Sequence, residues 1–180
     1  MDIVKVCYDF GVTAAEEVAV DKITLDSSLR EYCEQNRCGR YGKNYTCPPM
    51  IGEADALIRR IRSFQTAVIW QNVYPLEDSF DFEGMMTAQV KHNEMTLAIM
   101  REVSLYNDLS DILFLAAGGC SICPVCASET TEPCRNPEIA LSSLEAYGIN
   151  VSKIEEVTGM KYINGANTVT YFAGVFIKDR

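Results

Sequence analysis

The sequence holds a single histidine in 180 residues, and with that one imidazole no Ser-His-Asp or Cys-His catalytic arrangement is expected. It has no GxGxxG and no Walker loop, so a tightly bound nucleotide is not indicated. No window approaches the roughly 18 uninterrupted apolar residues of a membrane-spanning helix. The N-terminus "MDIVKVCYDFG" carries Asp2 and no basic region ahead of a long apolar core, so no export signal is read and a cytoplasmic protein is expected. Basic residues are outnumbered, 16 against 25 for a net charge of −9. With no basic stripe, such a surface repels phosphate backbones, and nucleic acid is not expected as a partner. Gly/Ser/Pro tracts, like-charge blocks and fixed-period repeats are also missing, which excludes disordered and solenoid architectures.

Cysteine is what the sequence has in excess. Eight are present, at positions 7, 33, 38, 47, 120, 123, 126 and 134. In a reducing compartment such clustering favours metal binding or redox chemistry over structural disulfides. The apolar content of 48% is ordinary for a globular chain, and the length suits one domain over residues 1–180. The seven methionines follow no Met/His/Cys spacing that would select copper and are read as core filler.

Periodicity places the cysteines on a fold. Ile3, Val6, Cys7 and Phe10 have helical spacing ending at Gly11. "EEVAVDKI" alternates as a short strand, and "DSSLREYC" reads as a helix capped by Asp26. Leu57, Ile58, Ile61 and Phe64 share one face of a helix, and "TAVIWQNVY" is the next strand. A long helix from about Glu83 to Tyr106 follows, striped by Met85, Ala88, His92, Met95, Ile99, Val103 and Tyr106. "DILFLAAGG" reads as a buried strand. Strand, helix, strand over 66–117 suggests a crossover joining parallel strands, which puts a site at Gly118-Gly119, beyond the second strand's carboxyl end. "NPEIALSSLEAYG" carries helix signals: Asn136 as N-cap, Pro137 in the first turn and Gly148 past the end. A shorter helix over Ser152–Thr158, a hairpin at Asn164-Gly165 and a last strand "TVTYFAGVFIK" complete the reading. The expected class is α/β, with α+β as the alternative: a mixed sheet of four or five strands flanked by helices and cysteine-rich loops.

The second cysteine group, Cys120-x2-Cys123-x2-Cys126-x7-Cys134, sets three thiols at three-residue steps in one loop. Zinc sites usually draw two ligands from one turn and two from a distant one, whereas successive cysteines curled around one centre are the ferredoxin habit. An iron-sulfur cluster, 4Fe-4S in type, is therefore the expected cofactor, in one or two copies, with zinc as the alternative. Cys134, just ahead of the expected helix, would lie near its positive end. The first group is Cys33-x4-Cys38-x8-Cys47-Pro48-Pro49. Arg37, Arg40 and Lys43 stand among its thiols, to compensate a negative centre or meet a small anionic ligand, or as plain solvated residues. Its fourth ligand is open. Cys7 lies on an apolar helix face and reads as a buried structural cysteine; His92 reads as a core histidine bonded to backbone. An iron open to a small molecule, or ligands shared between the two groups, are the remaining completions.

"CEQNRCGRYGKNYTCPPMIG" and "GGCSICPVCASETTEPCRNPEIALSSLEAYGINV" resemble an uncharacterised prokaryotic family of predicted metal-binding proteins, a domain of unknown function, over roughly residues 15 to 177. The resemblance implies metal binding and carries the ligand role to Cys33, Cys38, Cys47, Cys120, Cys123, Cys126 and Cys134; Cys7 lies outside its motifs. The cysteine triplet also resembles that of bacterial ferredoxins, but seven residues in place of three precede the fourth cysteine and Arg135 stands where proline is usual, so their ligand pairing is not transferred. Two functions are expected: an iron-sulfur protein of anaerobic metabolism that passes electrons to a partner protein, or a zinc-stabilised protein-interaction module without catalysis.

Overall fold

Strand residues alternate between two apolar faces, and that alternation explains how the chain is arranged. The computed structural model describes residues 1–108 and 110–179. Strands β1 (Ala14–Ala19), β2 (Thr66–Pro75), β3 (Ile112–Ala116), β4 (Ser142–Ser143) and β5 (Thr168–Ile177) form one mixed sheet in the order β1-β2-β5-β3-β4. The β1–β2, β2–β5 and β5–β3 pairs are antiparallel and β3–β4 is parallel. Because successive strand side chains point to opposite faces, Val68 and Trp70 of β2 join Ile112 and Phe114 of β3 and Ala173 and Val175 of β5 on one face. Ala67, Ile69, Leu115, Phe172 and Phe176 line the other. The central strands are apolar on both sides because both sides are covered.

Helices α1 (Ile3–Asp9) and α4 (Phe82–Ser104) cover the first face, inserting Ile3, Cys7, Ile99 and Val103. Both have capped starts: the Asp2 carboxylate accepts from Lys5 N, and that of Asp81 from Gly84 N. Such caps satisfy N–H groups that the first turn leaves unpaired. Helix α3 (Ala54–Ile61) packs Leu57 and Ile61 onto the second face, beside Leu144, Tyr147 and Ile149. The shorter α2 (Arg30–Glu34) follows a 3-10 turn that Asp26 caps, and α5 (Glu155–Thr158) follows another at Val151–Lys153. Among the described residues, no helix is long and apolar enough to cross a membrane.

The α/β class and the mixed sheet agree with the sequence, and four details do not. β2 and β3 run in the same direction, but β5 lies between them, so the α4 connection does not join neighbouring strands. The expected helix over 136–148 does not form: Ser142 and Ser143 pair with Leu115 and Ala116 as β4, and only a 3-10 turn, Glu145–Tyr147, remains helical. Sheet pairing outweighs helix signals there, and with them goes the helix end proposed to favour Cys134. No hairpin precedes β5; Asn164 instead bonds through its side chain to Lys161 O and Thr170 Oγ1. The first strand stops at Ala19, where a 3-10 turn, Val20–Lys22, begins.

Candidate metal centre

The second cysteine group leaves the carboxyl end of β3, where the sequence placed a site. Helix α4 holds this exit. Asn93 Nδ2 donates to Ala117 O at 2.9 Å, and its Oδ1 accepts from Ala117 N at 3.1 Å. The chain then turns at Gly118, whose φ of +68° suits glycine and whose missing Cβ leaves room for the Gln89 amide.

At Cys120 the two cysteine loops lock together through a closed ring of hydrogen bonds. Cys120 N donates to Thr46 Oγ1 at 2.9 Å, the Thr46 hydroxyl donates to Asn44 Oδ1 at 2.9 Å, and Asn44 Nδ2 donates to Cys120 O at 2.8 Å. Asn44 and Thr46 are both buried, so the ring satisfies polar groups that would otherwise be costly. Arg40 Nη1 adds a bond to Cys120 O at 2.7 Å, and the Tyr45 hydroxyl donates to Glu132 O at 2.7 Å. A Cβ on Gly119 would stand 2.6 Å from Cys47 Sγ; the thiol of one loop thus rests on the backbone of the other.

Cys120, Cys123, Cys126 and Cys134 all line one cavity of about 20 Å3. The first three also border a larger one of about 270 Å3, whose far wall includes Arg40 and Lys43. Burial pushes the Cys120 thiol up, an Ile122 N–H works against this, and Cys134, Cys123 and Cys126 push further in the same direction. Asn136, expected as a helix cap, donates through Nδ2 to Cys123 Sγ at 3.4 Å. Burial alone would raise Cys126, but the Ser128 hydroxyl and N–H and the Tyr45 N–H leave it below its ordinary value. The Ser128 Oγ is buried with no partner in good hydrogen-bond geometry, yet it lies close enough to Cys126 to favour a thiolate. This donor set suits sulfur that carries negative charge.

The first group is gathered more loosely. Cys38 is exposed, while Cys33 and Cys47 are partly covered. Burial and then the Cys38 thiol push Cys47 up to about 11, against the pull of the Thr46 hydroxyl and then of Arg40. Burial raises Cys33, Arg30 lowers it, and Cys38 and Glu145 raise it again. Cys38 thus acts on both Cys33 and Cys47, as the three other thiols of the second group act on Cys120. Of the cations in the loop, Arg40 meets both groups, whereas Arg37 and Lys43 are exposed.

Neither candidate fourth ligand joins them. Cys7 is fully buried among Ile3, Val12 and Trp70, and burial pushes its thiol up to about 12. His92 is fully buried with its ring 6.0 Å from that of Tyr171, and neither of its nitrogens has a hydrogen-bond partner in good geometry. The expected backbone partner is the Phe172 main chain, which the ring approaches outside good hydrogen-bond geometry; burial lowers the His92 pKa to about 4, with the Phe172 backbone partly offsetting it. Among the described residues, no three His, Cys, Asp or Glu side chains form a ready-made coordination group. The loop after β3 brings its four thiols to one shared wall, and coordination needs those side chains to turn inward. Asn44, Thr46 and Asn93 were missed by sequence reading, since nothing local marks a polar residue as the partner of a backbone group 24 to 76 positions away.

Two thiol-rich loops held at the end of a sheet strand define a cysteine-rich α/β protein. Residues 16–177 match the family described as predicted metal-binding protein (DUF2284), and the chain belongs to it. No curated protein and no solved structure matches it.

Proposed function

We propose that the chain is an iron-sulfur electron carrier, with a cluster held by Cys120, Cys123, Cys126 and Cys134 and a second centre on Cys33, Cys38 and Cys47. The observation that supports this most is the common cavity lined by all four thiols of the second loop. Three-residue steps suit a cubane, whose irons need thiolates from several directions. The cavity of about 270 Å3 beside Cys120, Cys123 and Cys126 gives room on one side. Donors from Ser128, Tyr45 and Asn136 would stabilise sulfur ligands, and Arg40 and Lys43 would offset the charge of the centre. Raised thiols such as Cys47 and Cys120 bind metal only on losing their protons, so loading is coupled to proton release. When bound, a cluster supplies one-electron chemistry, and the acidic surface selects a redox partner protein of opposite charge.

A second reading is favoured by the small volume of the four-thiol cavity. About 20 Å3 suits a single ion, and four thiolates are a common zinc set; the protein would then be a zinc-stabilised interaction module. Metal and sulfide analysis of protein purified without oxygen separates the two. The expected result is a brown protein with iron and acid-labile sulfide in equal amounts and a broad absorbance that bleaches on reduction. A colourless protein with stoichiometric zinc overturns the cluster.

A further inference from the structure

Cys120 faces two ways. Besides the four-thiol cavity, it borders a groove of about 340 Å3 that runs along α4, a volume within the range of roughly 300–1,000 Å3 usual for small-molecule sites. Leu97 of α4, Ile122 of the thiol loop, and Ile139 and Leu141 ahead of β4 give it apolar walls. The groove has two charged side chains, Glu94 and Arg101, and neither is in an ion pair among the described residues.

Helix geometry orders these charges. The paired bonds of Asn93 with Ala117 fix the thiol-loop end of the groove at that turn of α4. Glu94 follows directly, whereas Arg101 lies two turns on, roughly 12 Å from Asn93 along the axis at 1.5 Å per residue. Along α4 the groove therefore runs from Arg101 at one end past Leu97 to Glu94, Asn93 and Val90, with Cys120, three residues beyond Ala117, towards the Asn93 end. The geometry points to a binding site for an alkanoic monocarboxylic acid, its carboxylate on Arg101 and its tail against Ile122 and Cys120. This rests on the reading above only in that the tail would end beside a redox centre. Glu94 repels a second carboxylate there, so a dicarboxylic acid of equal length is disfavoured, and an alcohol of equal length gives Arg101 no charge to pair.

Isothermal titration of the metal-loaded protein with hexanoate, hexanedioate and 1-hexanol, at low ionic strength, tests the site. Hexanoate should bind more tightly than the other two, and Arg101→Gln should weaken it by about tenfold or more. Glu94→Gln should raise the affinity for hexanedioate and leave that for hexanoate close to unchanged. Both substitutions fall on exposed positions, so folding is preserved. Hexanoate that fails to bind, or that binds Arg101→Gln as well as the parent, overturns the proposal. The metal content of the same preparations keeps the two readings apart. Zinc in a protein that binds hexanoate removes the redox centre and leaves the groove standing; iron and sulfide in a protein indifferent to hexanoate does the reverse.

Discussion

The loop after β3 sets four thiols around one cavity and surrounds them with sulfur-directed donors from Tyr45, Ser128 and Asn136. The segment from α2 into the loop that follows carries three thiols, Cys33 on the helix itself, and leaves Cys38 exposed, while Cys7 and His92 are committed to the core. The difference lies in how each loop is anchored. The β3 loop leaves a central strand under the hold of Asn93, and its first cysteine sits in a closed hydrogen-bonded ring. The α2 loop is tied chiefly through that same ring, from the other side. A fixed frame can preorganise a complete ligand set, and an incomplete one borrows its rigidity from a neighbour.

Removing one thiol from each loop tests this contrast most severely. Cys123→Ser should abolish most of the metal in the four-thiol centre and leave that of the α2 loop, whereas Cys33→Ser should do the opposite, as read by metal analysis of each variant. Loss of all metal in both would mean that the loops share one centre.

Breaking the shared ring should have a smaller effect that spreads to both loops. Thr46→Val keeps the shape but removes the hydroxyl that serves Cys120 N and Asn44 Oδ1. The unpaired groups should cost about 1–3 kcal/mol, seen as a lower denaturant midpoint under anaerobic conditions, and metal occupancy should fall in both groups. Occupancy that falls in the four-thiol group alone would show that the α2 loop has its own support.

His92→Leu should leave metal content unchanged, which separates a core histidine from a missing fourth ligand. It should still alter stability as a function of pH. Burial holds His92 at about 4 in the folded chain against an ordinary 6.5, so the unfolded chain takes up the proton first. Its neutral form costs nothing above pH 6.5, and stability falls as the pH drops from there towards 4. The parent should lose about 3 kcal/mol more than the variant over that interval, as measured by chemical denaturation at each pH. Equal losses would mean that His92 is not held neutral by burial.

Elements whose burial pattern is local were legible in the sequence. The stripe Ala88, His92, Ile99 and Val103 is the buried face of α4, and the apolar run ending at Ala116 is β3. What failed depends on partners far along the chain. β5 enters between β2 and β3, and no periodicity within 66–117 records that insertion. The segment after Asn136 carries real helix signals, yet β3 has a free edge for Ser142 and Ser143, and Asn136 turns to Cys123 instead of capping. The cysteine spacings mark two groups, and the four thiols of the second line one cavity. The ring that joins Thr46, Asn44 and Cys120 spans more than seventy positions and uses residues common in any loop.

The position of β5 also bears on the order in which the molecule can be completed during synthesis. β3, which launches the four-thiol loop, pairs along its length with β5, while β4 meets only Leu115 and Ala116. A ribosome delivers residues 120–134 well before residues 168–177. Until the later strand emerges, β3 lacks its main neighbour, both of its edges are open to unwanted pairing, and the cysteines beyond it hang from an unanchored segment. The frame that sets Cys120, Cys123, Cys126 and Cys134 around their cavity is thereby completed by the strand made after all the others described, so that a stalled or truncated chain displays thiols it has no frame to organise.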